Sequence, residues 1–261
     1  MNAEFLKICE RAARKGGQVL REKLGNAWVR EKRRADLVTE ADFASQETIR
    51  EIVLNAFPAH AFLGEENENN VAQTEISEYR WIVDPLDGTT NFVHGVPLFA
   101  TSVALVHGKD VLCGTIYNPI LEECFTAAAG CGAFLNGKAI RASQTADLAD
   151  SLAAVSFPTT TRFDSPDLLA FMKLVPLAQA IRRTGSTAIN MAYLAAGRFD
   201  VLTCYGAHAW DVAAGAILIC EAGGILAAPD GGAFDIDKPQ TLAASTESLY
   251  RQVLRILNEN E

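Results

Sequence analysis

The segment Asp84-Pro85-Leu86-Asp87-Gly88-Thr89-Thr90 holds the densest candidate chemistry in the sequence. It follows the apolar run Trp81-Ile82-Val83, so a strand ends on one acid and a Pro-fixed turn leads to a second, three residues on. Two carboxylates at one sheet edge, with the Leu86 carbonyl as a further oxygen, suit a hard cation such as Mg²⁺. Gly88 permits close approach of the main chain to a ligand. The amides of Gly88, Thr89 and Thr90 could open a helical turn that cradles an anion. Asp-Pro and Asp-Gly are equally ordinary turn dipeptides, so the segment by itself also reads as a plain surface turn.

Other candidates each carry a structural alternative. Asp211 precedes the apolar stretch Val212–Leu218 and reads as a helix cap or as a ligand. Glu65 and Glu66 follow Gly64 in a polar loop, where adjacent acids are usually solvated. Asp42 stands three residues after Thr39, a pattern resembling a capping box with a shortened acid. Gly185-Ser186-Thr187-Ala188 lies between an apparent strand and a helix, offering amides and hydroxyls or simply a cap.

The elements that must position these residues follow from periodicity. Phe5, Leu6, Cys9, Ala12, Ala13, Gly16, Val19 and Leu20 recur at helical spacing, predicting a helix over 3–24. A basic loop (Arg30-Glu31-Lys32-Arg33-Arg34) separates it from a second helix, which runs from Thr39 to about Phe57. Residues 59–80 read as one acidic turn and polar loop. Apolar runs from Phe99 to Phe125 predict antiparallel strands, and Asn136-Gly137 marks a tight hairpin. Polar residues 141–151 suggest a boundary, giving an N-terminal α+β part over 1–145 and a C-terminal part over 146–261. In the latter, strand-like and helix-like segments alternate, as in an α/β layer with a mostly parallel sheet.

Composition narrows the function classes. The 261 residues are 49% hydrophobic and 21% charged, the balance of a globular protein with a sizeable core. A net charge of −9 argues against a nucleic-acid partner. No apolar run approaches the roughly 18 residues that cross a bilayer, and the N-terminus does not resemble a signal peptide, so no membrane role is expected. Six cysteines without metal-binding spacing predict buried free thiols and a cytoplasmic location. A chain this acidic still binds phosphate where metal ions supply positive charge.

The segments Asp36–Asp42, Gly64-Glu65-Glu66, Trp81–Phe92 and Trp210–Gly215 resemble the signature segments of the inositol monophosphatase family, in order and in spacing. Gly185–Met191 and Glu221–Gly224 extend the likeness over nearly the whole chain. The resemblance implies a layered α-β-α-β-α sandwich (α+β and α/β) and Mg²⁺-dependent hydrolysis of a small phosphorylated polyol or sugar. By this likeness Glu65, Asp84, Asp87, Asp211 and the Leu86 carbonyl hold two or three Mg²⁺ ions. Thr89, paired with Asp42, helps to activate the attacking water. The amides of Gly88 and Thr89 hold phosphate, while Gly185, Ser186 and Thr187 line the substrate side, with Asp87, Cys204 and Asp211 near it. Five carboxylates in one pocket agree with this, since a like-charged pair ~4 Å apart repels by about 4 kcal/mol at an effective dielectric near 20, which divalent cations reverse. Lithium inhibition and a homodimer are further expectations of the likeness.

Two departures bear on specificity. Inositol-preferring members usually place a glutamate seven residues before the Trp-Asp aspartate, where this chain has Cys204, a weak hydrogen-bond partner. Glu31, Lys32 and Arg33 compete for a lysine position found in relatives ahead of Asp36. A nucleotide 3′-phosphatase, a fructose-1,6-bisphosphatase, a histidinol-phosphate phosphatase and a non-catalytic binding protein remain alternatives. Ile189, in place of a lysine, counts against the first.

Overall fold

Thr39 starts the second helix by a reciprocal cap. Its hydroxyl accepts the Ala41 N–H at 3.1 Å, while Asp42 accepts the Thr39 N–H at 2.8 Å. The computed structural model describes residues 2–33, 36–67, 77–158 and 161–259. Helix α1 (Asn2–Lys23) buries Phe5, Cys9, Ala12, Ala13 and Leu20, the stripe its periodicity predicts. The expected basic loop is instead an antiparallel hairpin of β1 (Val29–Arg33) and β2 (Asp36–Thr39). Arg34 lies outside the described residues. Consecutive charged residues from Arg30 to Arg33 give this strand no two-residue alternation for the sequence to show.

Helix α2 (Glu40–Ala56) leads to β3 (Ala61–Gly64), a strand in a region read from sequence as loop, followed by a 3₁₀ turn at Glu65–Asn67. Glu68, part of the predicted acidic turn, lies outside the described residues. Strands β4 (Tyr79–Asp87), β5 (Ala100–His107), β6 (Asp110–Asn118), β7 (Glu123–Ala128), β8 (Gly132–Leu135) and β9 (Lys138–Ile140) follow, with the short α3 (Thr89–Val93) after β4. Together β3 to β9 make a seven-stranded sheet in chain order, antiparallel except for the β3–β4 pair.

The remaining chain contributes β10 (Leu152–Ser156), α4 (Pro166–Leu174), β11 (Ala180–Arg182), α5 (Thr187–Ala195), β12 (Val201–Cys204), α6 (Ala209–Glu221), β13 (Ile225–Ala227), β14 (Thr241–Ala244) and α7 (Glu247–Asn258). Its sheet has the order β11-β10-β12-β14-β13. The predicted parallel pairing holds for β10, β11 and β12, and β14 and β13 add an antiparallel edge.

Helices α1 and α2 cover one face of the larger sheet. Helix α6 packs against that sheet and the smaller one, alongside α5, and α4 and α7 pack against the smaller sheet. The result is the layered α-β-α-β-α sandwich. The main hydrophobic cluster joins Ile82, Ile116 and Phe125 of the larger sheet to Ile189, Met191, Val212 and Leu218 of the middle helices and to Leu202 and Ala243 of the smaller sheet. Helix α6 is apolar nearly all round because both its sides are covered. Among the described residues no helix is long and apolar enough to cross a membrane.

Candidate active site

A regular strand would send Asp84 and Asp87, three residues apart, to opposite faces. The strand is not regular there. Asp84 pairs with Ser102 and Asp87 with Ala100, so β4 carries one residue more than β5 between the two pairings. That bulge, where Pro85 has no N–H to give to the ladder, turns both acids to one side. The Leu86 amide donates to Asp84 Oδ1 at 2.9 Å across it. Ser45, one turn beyond Asp42 on α2, donates to the Pro85 carbonyl at 3.0 Å and ties that helix to the bulge.

Strand pairing brings in the distant acids. Gly64 pairs with Val83, so Glu65 leaves β3 beside Asp84. Gln46 of α2 accepts the Glu66 N–H at 3.0 Å and holds this turn. Ser102, opposite Asp84, donates to the Trp210 carbonyl at 3.2 Å and anchors the start of α6 next to β4. Asp211 is the third residue of that helix, whose cap is His208. Its Oδ2 accepts the His208 N–H at 2.6 Å. Asp84, Asp87 and Asp211 each offer a carboxylate oxygen within 4.8 Å of the other two.

Asp87 also faces the first turn of α5. Ser186 caps that helix, accepting the Ile189 N–H at 3.2 Å, and donates its hydroxyl to Asp87 Oδ2. The Ala188 and Thr187 amides donate to Asp87 at 2.8 and 3.2 Å. Gly185 sits at φ +86°, and a Cβ there would stand 3.0 Å from the Asn91 side chain. Asn91 Nδ2 donates to the carbonyls of Leu98 and Thr184 at 2.6 and 2.8 Å, fastening this loop to α3. Asn91 lay within a recognised motif but nothing in the sequence assigned it this contact.

Gly88 caps α3 at φ +92°, ψ +37°, a left-handed conformation that favours glycine. A Cβ there would stand 3.0 Å from the Leu98 carbonyl oxygen. The chain therefore enters α3 with Thr89 facing back toward β4 and α2. The Thr89 hydroxyl has two acceptors in reach, Asp42 Oδ1 at 3.3 Å and the Leu86 carbonyl at 3.1 Å. Cys204 ends β12 and is buried.

The electrostatics are those of crowded, desolvated acids. Burial pushes Asp84 well above the carboxylate range, and Glu65, Asp87 and Asp211 push it further. Asp211 is raised by burial, then by Asp87 and Glu65, against the His208 amide. Asp87 rises to about 6 by burial, opposed by its bonds from Ser186 and α5. Burial raises the Cys204 thiol, leaving it neutral. Buried oxygens that repel one another as strongly as this fit one or more hard divalent cations.

The sequence model of the inositol monophosphatase family matches residues 1–261. The chain is 39% identical over 249 residues to the Nus factor SuhB of Pseudomonas aeruginosa, covering 93% of this chain and 92% of that one. It is 38% identical over 267 residues to inositol monophosphatase 2 of Solanum lycopersicum, covering 99% of both. The crystal structure of extragenic suppressor protein suhB from Bartonella henselae superposes with a TM-score of 0.91 at 36% identity, covering 99% of this chain and 100% of that one. The chain belongs to the inositol monophosphatase family of metal-dependent phosphatases.

Proposed function

We propose that this protein hydrolyses the phosphate monoester of a small polyol or sugar, with Mg²⁺ held by Asp84, Asp87, Asp211, Glu65 and the Leu86 carbonyl. The observation that carries the reading is the convergence of three carboxylates within 4.8 Å, two of them on one strand bulge. Two or three bound divalent cations would neutralise these acids and the phosphate and polarise water.

The protein groups divide the remaining work. Asp42 accepts the Thr89 hydroxyl proton as the Thr89 oxygen takes one from the attacking water, so the proton released on attack passes through Thr89 to the Asp42 carboxylate. The water oxygen bonds to phosphorus, the ester P–O bond breaks, and the departing alkoxide takes up a proton from solvent. Amides of Gly88 and Thr89 donate to phosphate oxygens. Gly185, Ser186 and Thr187, held through Asp87 and Asn91, line the substrate side, with Cys204 beside them. No covalent phosphoenzyme is needed.

The test is phosphate release from inositol 1-phosphate, fructose 1,6-bisphosphate, histidinol phosphate, a 3′,5′-bisphosphonucleotide and glycerol 2-phosphate. Each is run with Mg²⁺, with EDTA, and with Asp84→Asn. Mg²⁺-dependent turnover that disappears in the variant is expected, and the preferred substrate identifies the ester. The Pseudomonas relative is called a Nus factor, and a regulatory role on this fold is the second reading. Silence across the panel with Mg²⁺ bound would promote it. We also expect a homodimer, consistent with the exposed Leu169, Met172, Val175 and Leu177 on and just after α4. Light scattering of the purified chain at a monomer mass would rule it out.

A further inference from the structure

Resting on the metal-site reading, we propose that Thr184 and Asn190 are positioning residues for the candidate ligand Asp87. A chain of hydrogen bonds joins them in the order Ser156, Asn190, Thr184, Ser186, Asp87. Asn190 lies in α5 among Ile189, Met191, Ala192 and Leu194, and is 0% exposed. An amide buried in so apolar a helix is costly unless both its ends are bonded. Its Nδ2 donates to the hydroxyl of Ser156, the last residue of β10, at 3.2 Å, and its Oδ1 accepts the Thr184 hydroxyl at 2.6 Å. The Thr184 oxygen in turn accepts the Ser186 N–H at 3.3 Å, and the Ser186 hydroxyl donates to Asp87. The chain therefore runs from the smaller sheet, through the start of α5, to an acid on the larger sheet.

The turn before α5 depends on these bonds. Glycine leaves the main chain its widest freedom, so Gly185, at φ +86°, does not fix the turn by itself. Thr184 is held from two sides instead. Asn91 Nδ2 donates to its carbonyl at 2.8 Å, and Asn190 accepts its hydroxyl. The consequence reaches Asp87. Its Oδ2 takes the Ser186 hydroxyl and the Ala188 amide, the latter at 2.8 Å, while Oδ1 takes the Thr187 amide at the longer 3.2 Å. Oδ1 is thus the less engaged oxygen and the one left open to a cation. Asp84 and Asp211 offer oxygens within 4.8 Å, and without these donors their repulsion would swing the Asp87 carboxylate away. Groups behind a ligand that fix its orientation raise metal affinity. Thr184 and Asn190 do this through Ser186, not as ligands themselves.

The experiment is calorimetric titration of Mg²⁺ into the full-length chain freed of metal. Thr184→Val keeps the shape of the side chain and removes its hydroxyl, and its Kd for Mg²⁺ should rise about tenfold, the lower end of what such groups cost. Thr184→Ser restores the hydroxyl and should keep Kd near the wild-type value. Asn190→Leu, similar in volume, should match Thr184→Val. On a Ser186→Ala background Thr184→Val should add less than about twofold, because the link it works through is gone. Losses that multiply in full would place the effect of Thr184 elsewhere and overturn the proposal. So would an unchanged Kd in Thr184→Val beside a lowered Tm, the mark of a merely structural residue. A wild-type chain that binds no Mg²⁺ would instead bring down the metal-site reading, and this inference with it.

Discussion

Thr89 and Asp42, 47 residues apart, meet with the threonine hydroxyl 3.3 Å from Asp42 Oδ1. The other carboxylate oxygen of Asp42 is occupied by the Thr39 N–H and hydroxyl at 2.8 and 2.7 Å. One acid thus caps α2 and orients the residue that opens α3. If the pair activates water, Thr89→Ala should lower kcat by at least about 100-fold with KM little changed, the scale of a lost general base. Thr89→Ser should keep most of the rate, because it keeps the hydroxyl. Equal rates for Thr89→Ala and wild type, measured by phosphate release, would remove the pair from the mechanism.

As a metal ligand, Asp84 would place function and stability in opposition. Its burial among Glu65, Asp87 and Asp211 destabilises the metal-free fold. Asp84→Asn should therefore raise the Tm of EDTA-treated protein. The same change should weaken Mg²⁺ binding in calorimetry by more than about tenfold, since even groups behind a ligand cost about 10- to 100-fold. A variant that binds Mg²⁺ as wild type does would exclude Asp84 as a ligand.

The acids also set a pH dependence. Asp87 is raised from 3.8 to about 6, so the folded metal-free chain binds more protons than the unfolded one in that window. Stability of the metal-free protein should then fall as pH rises from about 4 to about 6. Cations displace those protons, so the gain in Tm on adding Mg²⁺ should grow between pH 5 and about pH 8. A gain in Tm independent of pH would contradict the site's assignment.

His60 works in the reverse direction, away from the site. Its ring stacks between Phe57 and Tyr79 at 4.8 and 4.9 Å, and its buried Nδ1 has no hydrogen-bond partner among the described residues. Burial lowers its pKa below 6.5, so the unfolded chain takes up the proton first and stability falls as pH drops through and below that value. In the Mg²⁺-loaded protein, His60→Phe should flatten the decline in Tm below about pH 6.5. An unchanged decline would clear His60 of it.

Gly88 tests the entry to α3. Gly88→Ala forces a side chain into φ +92° and against the Leu98 carbonyl. A loss of about 1–3 kcal/mol in denaturant unfolding is expected. The rate should fall by more than that loss accounts for, because Thr89 moves with it.

Local order alone made much of this protein legible. The Thr39 cap, the apolar stripe of α1, the Asn-Gly hairpin and the Asp84–Thr90 segment are contacts between near neighbours, and the chain writes those directly. The hairpin of β1 and β2 was hidden because its charged residues lack a two-residue period. The sequence also held the acids, but their spacing of 19 residues from Glu65 to Asp84 and 124 from Asp87 to Asp211 says nothing of distance in space. Tertiary structure decided that. The bulge in β4 turned Asp84 and Asp87 to one face, the β3–β4 register set Glu65 beside them, and Ser102 fixed the start of α6. Each of these depends on a pairing whose partner lies far along the chain. The bond from the Tyr205 amide to Asp167 belongs with them, joining α4 to the residue after β12 across 38 positions of the chain.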